Sequence, residues 1–163
     1  MDFGAMFSTT SKYALRALAY LSAQKPDRMV PGEELSLKTG VPRNYLSKIL
    51  LALGNAGIVT AVRGAAGGYR LGVRPEEVPL NRVIGLFDRT ATKRACLLGL
   101  RPFCSGKNPC TAHHAWMPAK TAFFTFLEST TLRDISLSGR PGRAGKGTGA
   151  GRRSRPKATA VEE

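Results

Sequence analysis

Gly40-Val41-Pro42 separates two short helical patterns, and this junction constrains the chain more than any other feature. Residues 32–39 carry Glu33 and Glu34 early, where acidic side chains suit the positive end of a helix. Gly40 fits the left-handed cap that closes such a helix, and Pro42 is preset for the first position of the next. That second helix, over about 42–53, spaces Leu46, Ile49, Leu50 and Leu53 at i, i+3, i+4 and i+7. Its other face shows Arg43, Asn44, Ser47 and Lys48. Two helices joined by so tight a turn, the second polar and basic outside, have the shape of a helix-turn-helix.

The next residues narrow the fold further. Ile58 to Arg63 is a β-branched, strand-like run, and Tyr69-Arg70-Leu71 reads as its returning partner. Gly64, Gly67 and Gly68 lie between them, with Gly67 and Gly68 the positions expected to need positive φ. A basic hairpin directly after a helix-turn-helix is a wing, with Arg63 and Arg70 flanking its glycine turn and tracking DNA backbone or minor groove. A nucleotide-binding phosphate loop would need Lys-Ser/Thr or a helix after the glycines, and Tyr69-Arg70-Leu71 supplies neither.

The flanks complete the prediction. Residues 8–24 form a first helix with hydroxyl caps at Ser8 to Ser11 and an Ala14, Ala17, Leu18, Leu21 stripe, ended by Lys25-Pro26. Pro79-Leu80 opens an amphipathic helix to about Phe87. Residues 118–129 place Phe123, Phe126 and Leu127 on one face, with Phe124 and Ala119 beside them. So much aromatic surface on a small chain predicts a dimer helix. The expected fold is mainly α with a small β-hairpin wing: a winged helix-turn-helix domain over 6–74, then a cysteine loop and dimerisation helix over 75–137. Residues 138–163 form an expected disordered basic tail.

Charge points to the partner. Lys and Arg number 25 against 11 Asp and Glu, a net charge of +14. The last 26 residues hold seven Lys/Arg, two Glu and six Gly, so the 137 residues before them still carry +9. A folded part this basic suits a polyanion, with double-stranded DNA ahead of anionic lipid. No apolar run approaches the roughly 18 residues of a membrane span. Neither a secretory leader nor a disulfide framework fits the sequence, whose three cysteines are odd in number. A reducing, cytoplasmic setting is expected.

The cysteines are clustered. Cys96, Cys104 and Cys110 fall within fifteen positions, and both histidines, His113 and His114, follow at once. Asn108-Pro109 reads as a cap and first helical residue, which puts Cys110 in the first turn and lets either imidazole share its face. Three thiolates and an imidazole suit zinc or an iron–sulfur cluster. The wide spacings, without a C-x-x-C knuckle, count against a structural zinc finger. A thiol redox switch is an alternative use of the same residues. A catalytic Cys–His pair would need an orienting third group, and none is evident, so an enzyme is not expected.

Taken together the chain resembles the Rrf-two-type winged-helix regulators of the IscR and NsrR kind. The resemblance is carried by Ser11-Lys12-Tyr13-Ala14-Leu15-Arg16-Ala17-Leu18, by residues 41–50 and 63–71, by Cys-x7-Cys-x5-Cys, and by Thr131-Leu132-Arg133-Asp134-Ile135, and it spans about 6–137. It implies a homodimeric repressor whose bound iron–sulfur cluster senses iron supply, nitric oxide or redox state and changes operator binding. By motif, Cys96, Cys104 and Cys110 fall on the cluster cysteines and His113 on the imidazole ligand of the IscR-like branch. Arg43, Asn44, Ser47 and Lys48 fall on the recognition helix. The chain departs from the pattern at Lys12, where the NsrR-like branch has an acidic ligand from the partner subunit. It also departs in the seven-residue first cysteine gap, at Phe87-Asp88-Arg89-Thr90, and at Pro118.

Overall fold

The computed structural model describes residues 7–64, 66–88, 98 and 106–136. Helix α1 spans Thr9–Ser22, and the Ser8 hydroxyl oxygen accepts the Ser11 N–H at 3.1 Å. It ends two residues before the sequence suggests. Ala23 and Gln24 donate to Tyr20 and Leu21 in i→i−3 bonds, so the last turn tightens ahead of Pro26. Helix α2 spans Gly32–Thr39 and closes on Gly40, in the left-handed region at φ 67° as predicted. Pro42 caps rather than opens helix α3, which runs Arg43–Asn55. The four predicted apolar positions of α3 are the ones it buries.

Strands β1 (Val59–Val62) and β2 (Gly68–Leu71) pair antiparallel, Val59 opposite Leu71 and Val62 opposite Gly68. The hairpin has a further partner that the sequence reading did not include. Val30 and Tyr69 exchange both backbone bonds, at 2.9 and 2.8 Å, so the wing is tied to the entrance of α2. Positive φ falls on Gly64 (114°) and Gly68 (156°), not on Gly67. Gly67 is required for a different reason: a Cβ there would stand 2.2 Å from the Val62 carbonyl oxygen.

Helix α4 (Leu80–Phe87) and helix α5 (His113–Ser129) follow. Helix α5 starts five residues earlier than expected, and Pro118 lies inside it, where it has no N–H to give the His114 carbonyl. Beyond α5 the chain docks on its own winged helix. Leu80 donates to the Thr130 carbonyl at 2.9 Å, and Leu132 to that of Val78 at 3.0 Å.

One apolar cluster unites all of this. Ala14, Ala17 and Leu18 of α1 are fully buried among Leu35, Ile49, Leu53 and Ile58, and the same cluster takes in Val83, Ile84, Leu127 and Leu132. The two alanines have no atoms beyond Cβ, so neighbouring helices approach α1 closely. Asp88, just past α4, accepts the Ser8 N–H at 3.1 Å and so anchors the start of α1. Burial pushes that carboxyl up, but hydrogen bonds from Ser8 outweigh it and hold it below the usual carboxylate range. Among the described residues no helix is long and apolar enough to cross a membrane.

Two glycines test this account. A Cβ at Gly68 would lie 2.5 Å from the Val30 carbonyl oxygen in a positive-φ backbone, whereas one at Gly85 on α4 would meet nothing within 4 Å. Gly68→Ala is expected to cost about 1–3 kcal/mol of unfolding free energy. Gly85→Ala should be neutral or stabilise by up to about 1 kcal/mol. Urea denaturation of both proteins measures the contrast.

Candidate nucleic-acid interface and cysteine segment

The exposed side of α3 faces the wing across a groove of about 730 Å3. Arg43 and Ser47, one helical turn apart, line the α3 wall with Leu51 and Asn55. Arg63, Gly64, Gly67, Gly68 and Tyr69 line the wing wall, and Pro31, Gly32 and Glu33 close the α2 end. Gly67 and Gly68 thus combine close backbone packing with a place in the groove. Five of the sequence-selected residues, Arg43, Ser47, Arg63, Gly67 and Gly68, therefore meet in one groove.

The other three lie elsewhere. Asn44 and Lys48 are exposed on α3 but outside the groove lining. The Asn44 side-chain oxygen accepts the Tyr45 N–H at 3.0 Å. Arg43 and Lys48 are five residues apart, about 140° around a helix, which is why they part company. Arg70 is half-buried and lines a second cavity, behind the wing.

Two exposed side chains of α3, Leu51 and Tyr45, are not among the residues selected from the sequence. Leu51 is 67% exposed, an uncommon state for leucine, and sits on the groove wall. Tyr45 stands edge-on to Tyr13 of α1 with ring centres 6.0 Å apart, and Arg16 lies 5.9 Å from the Tyr13 ring centre. The Arg16 guanidinium thus packs on the Tyr13 ring, whose other neighbour is Tyr45 of α3. Their only sequence signal was apolar or aromatic character at positions outside the buried stripe.

Of the cysteine segment, Cys110, His113 and His114 lie among the described residues, while Cys96 and Cys104 lie outside them. Cys110 falls in the turn before α5 rather than in its first turn, because the helix starts at His113, whose N–H bonds to the Cys110 carbonyl at 3.0 Å. The Cys110 residue is half-buried. His113 is 7% exposed, whereas His114 is exposed, and their rings meet edge to face at 5.5 Å. The two imidazoles are thus sorted by burial: His113 turns into the protein on the same turn as Cys110. Further along α5, Leu127 is buried, Phe123 and Phe124 are half-buried, and Phe126 is 49% exposed.

Helix-turn-helix, returning hairpin and a tether from the hairpin to α2 define a winged helix-turn-helix protein. The chain belongs to the Rrf2 family, described as iron-dependent transcriptional regulators, whose profile matches residues 7–137. A protein of Aquifex aeolicus named as an HTH-type transcriptional regulator is 36% identical over 132 residues, covering 80% of this chain and 90% of that one. IscR of Aliivibrio salmonicida is 28% identical over 130 residues, covering 80% and 76%. NsrR of Bacillus subtilis is 28% identical over 123 residues, covering 76% and 84%. The fold is similar to that of CymR, the global cysteine regulator of B. subtilis, with a TM-score of 0.67 at 23% identity, over 80% of this chain and 95% of that one. The relatives are transcriptional regulators rather than enzymes, and this chain is a transcriptional regulator of the same family.

The sorting of the imidazoles has a measurable consequence without any metal. His113→Ala removes a buried ring together with its polar contacts and is expected to destabilise the apo-protein by about 1–3 kcal/mol. His114→Ala, at an exposed position, should stay within about 0.5 kcal/mol of wild type. Chemical denaturation in the presence of a chelator compares the two.

Proposed function

We propose that this regulator is a homodimeric repressor that binds operator DNA through α3 and the wing and senses its signal through an iron–sulfur cluster. The groove between α3 and the wing is the observation that carries the DNA half. Arg43, Asn44, Ser47 and Lys48 present α3 to the major groove, while Arg63, Gly67 and Gly68 bring the wing to the neighbouring backbone, with Arg70 behind it. Phe126 and the half-buried aromatics of α5 supply the apolar surface for a second copy. The cytoplasm is the compartment in which such a protein meets its DNA.

The donor set fits the cluster. Cys110 precedes α5 by one turn and His113 is the imidazole turned inward, so the two donors nearest in sequence share one end of one helix. Cys96, Cys104, Cys110 and His113 would hold the cluster, which would supply redox chemistry sensitive to iron supply or nitric oxide. Lys12, half-buried on α1, offers no carboxylate, so an all-cysteine-and-histidine set is the one these residues support. Cluster and DNA both bias how two winged helices sit, and the coupling expected between such sites is about 1–3 kcal/mol.

Anaerobic purification followed by iron and sulfide counting with visible and Mössbauer spectra tests the cluster. Each Cys→Ala protein should be colourless. His113→Ala should keep a cluster with an altered spectrum and faster decay, and His114→Ala should match wild type. Full iron content in the triple cysteine variant would overturn the reading. Colourless wild type that cycles between thiol and disulfide, or that binds zinc, would point to the thiol or zinc alternative.

Salt titrations on DNA test the other half. Lys48→Ala is expected to weaken all duplexes alike and reduce the slope of log affinity against log salt by about one unit. Arg43→Ala should cost about 1–3 kcal/mol on the operator and relax discrimination at one base pair. Wild-type behaviour of both variants would show that α3 is not the reading helix.

A further inference from the structure

A second cavity lies behind the wing, with a volume of about 420 Å3, within the roughly 300–1,000 Å3 typical of small-ligand sites. The C-terminal end of α1 contributes Leu21 and Ser22, the loop after it Gln24, Lys25, Pro26 and Arg28, and strand β2 Arg70 and Leu71. Val73, Arg74, Pro75 and Glu77 complete it.

Its charges are not equivalent. Arg28 is committed to Glu34 at 2.8 Å, and Glu34 also accepts the Tyr20 hydroxyl at 2.7 Å. Arg74 is committed to Glu77, with its Nε 2.9 Å from the carboxylate. Lys25 and Arg70 make no ion pair among the described residues, and the protein bond of the Arg70 guanidinium is a long one, 3.5 Å to the Leu71 carbonyl. Two cations without an ion pair therefore share the lining with Leu21, Pro26, Leu71, Val73 and Pro75. Arginine pairs a planar carboxylate through two parallel hydrogen bonds. An apolar lining favours a ligand with an apolar body, which a bare phosphate lacks.

We infer that this cavity binds a small organic carboxylate with an apolar body and that its occupancy alters DNA binding through strand β2. The strand is a wall common to both cavities: Gly68 and Tyr69 line the groove beside α3, and Arg70 and Leu71 line the cavity behind. A ligand that draws Arg70 towards Lys25 shifts the strand whose other residues form the wing wall. The effect on DNA rests on the function proposed above; binding of the carboxylate does not.

Calorimetric titration of the full chain without DNA tests binding, with phenylacetate as the probe and 2-phenylethanol and inorganic phosphate as controls. Phenylacetate should bind. The alcohol and phosphate should bind at least about tenfold more weakly, the size of one charge-assisted hydrogen bond. Arg70→Ala and Lys25→Ala should each weaken phenylacetate by a similar factor at an unchanged unfolding temperature. Lys25 is exposed beyond the end of α1, so its variant decides the matter if Arg70→Ala fails to fold. No heat with phenylacetate overturns the inference, as does equal binding of either control or wild-type affinity in the variants. Saturating phenylacetate should then change duplex affinity severalfold in wild type and less in Lys25→Ala. Binding without that change overturns the coupling alone. A protein that binds phenylacetate but no DNA overturns the function proposed above and leaves the site standing.

Discussion

Two backbone hydrogen bonds between Val30 and Tyr69 organise the groove between the wing and α3. A two-stranded hairpin is marginal in water without something to pack against. Here β2 gains a partner on its second edge, and that partner is the residue pair leading into α2. The approach is close enough that only glycine fits at position 68, and the Tyr69 ring edge lies against Gly32 at the first residue of α2. The wing is consequently a fixed wall of the groove, held to the helix-turn-helix by main chain as well as by side chains.

The interior makes this surface possible with small residues as much as with large ones. Ala14 and Ala17 let α1 serve as the common packing partner of α2, α3 and α4, while Leu18 and Leu21 fill the space beside them. The segment after α5 then returns to Val78 and Leu80, burying Leu127 and Leu132 in the same cluster. The half of the chain that bears Cys110 and His113 thereby shares a core with the half that bears the groove.

The parts legible in the sequence were those decided within one or two turns of chain. Gly40 and Pro42 bracket α2 and α3, and the four-residue leucine and isoleucine stripe of α3 is buried as its spacing requires. The parts that were not legible depend on distant partners. Val30, a single β-branched residue beside a proline, carries no periodic signal, and its role comes from Tyr69 thirty-nine positions away. Asn108-Pro109 suggests a helix start and 118–129 a separate packed element, whereas one helix begins between them, at His113, and runs through Pro118. Arg63 and Arg70 both flank the glycines in sequence, but they line different cavities. Burial of His113 over His114 follows from the direction in which α5 packs, which adjacent residues cannot reveal.

Helix α1 connects these regions as a stiff rod. Its fourteen residues span about 21 Å. One end is bonded to Asp88, the last described residue before the cysteine segment, and the other forms a wall of the cavity behind the wing. A rod of that length pivoting by about 5° carries its far end through about 2 Å. A tilt of α1 about its Ser8 anchor would therefore be felt most at its Leu21 end, beside the strand whose other residues face α3.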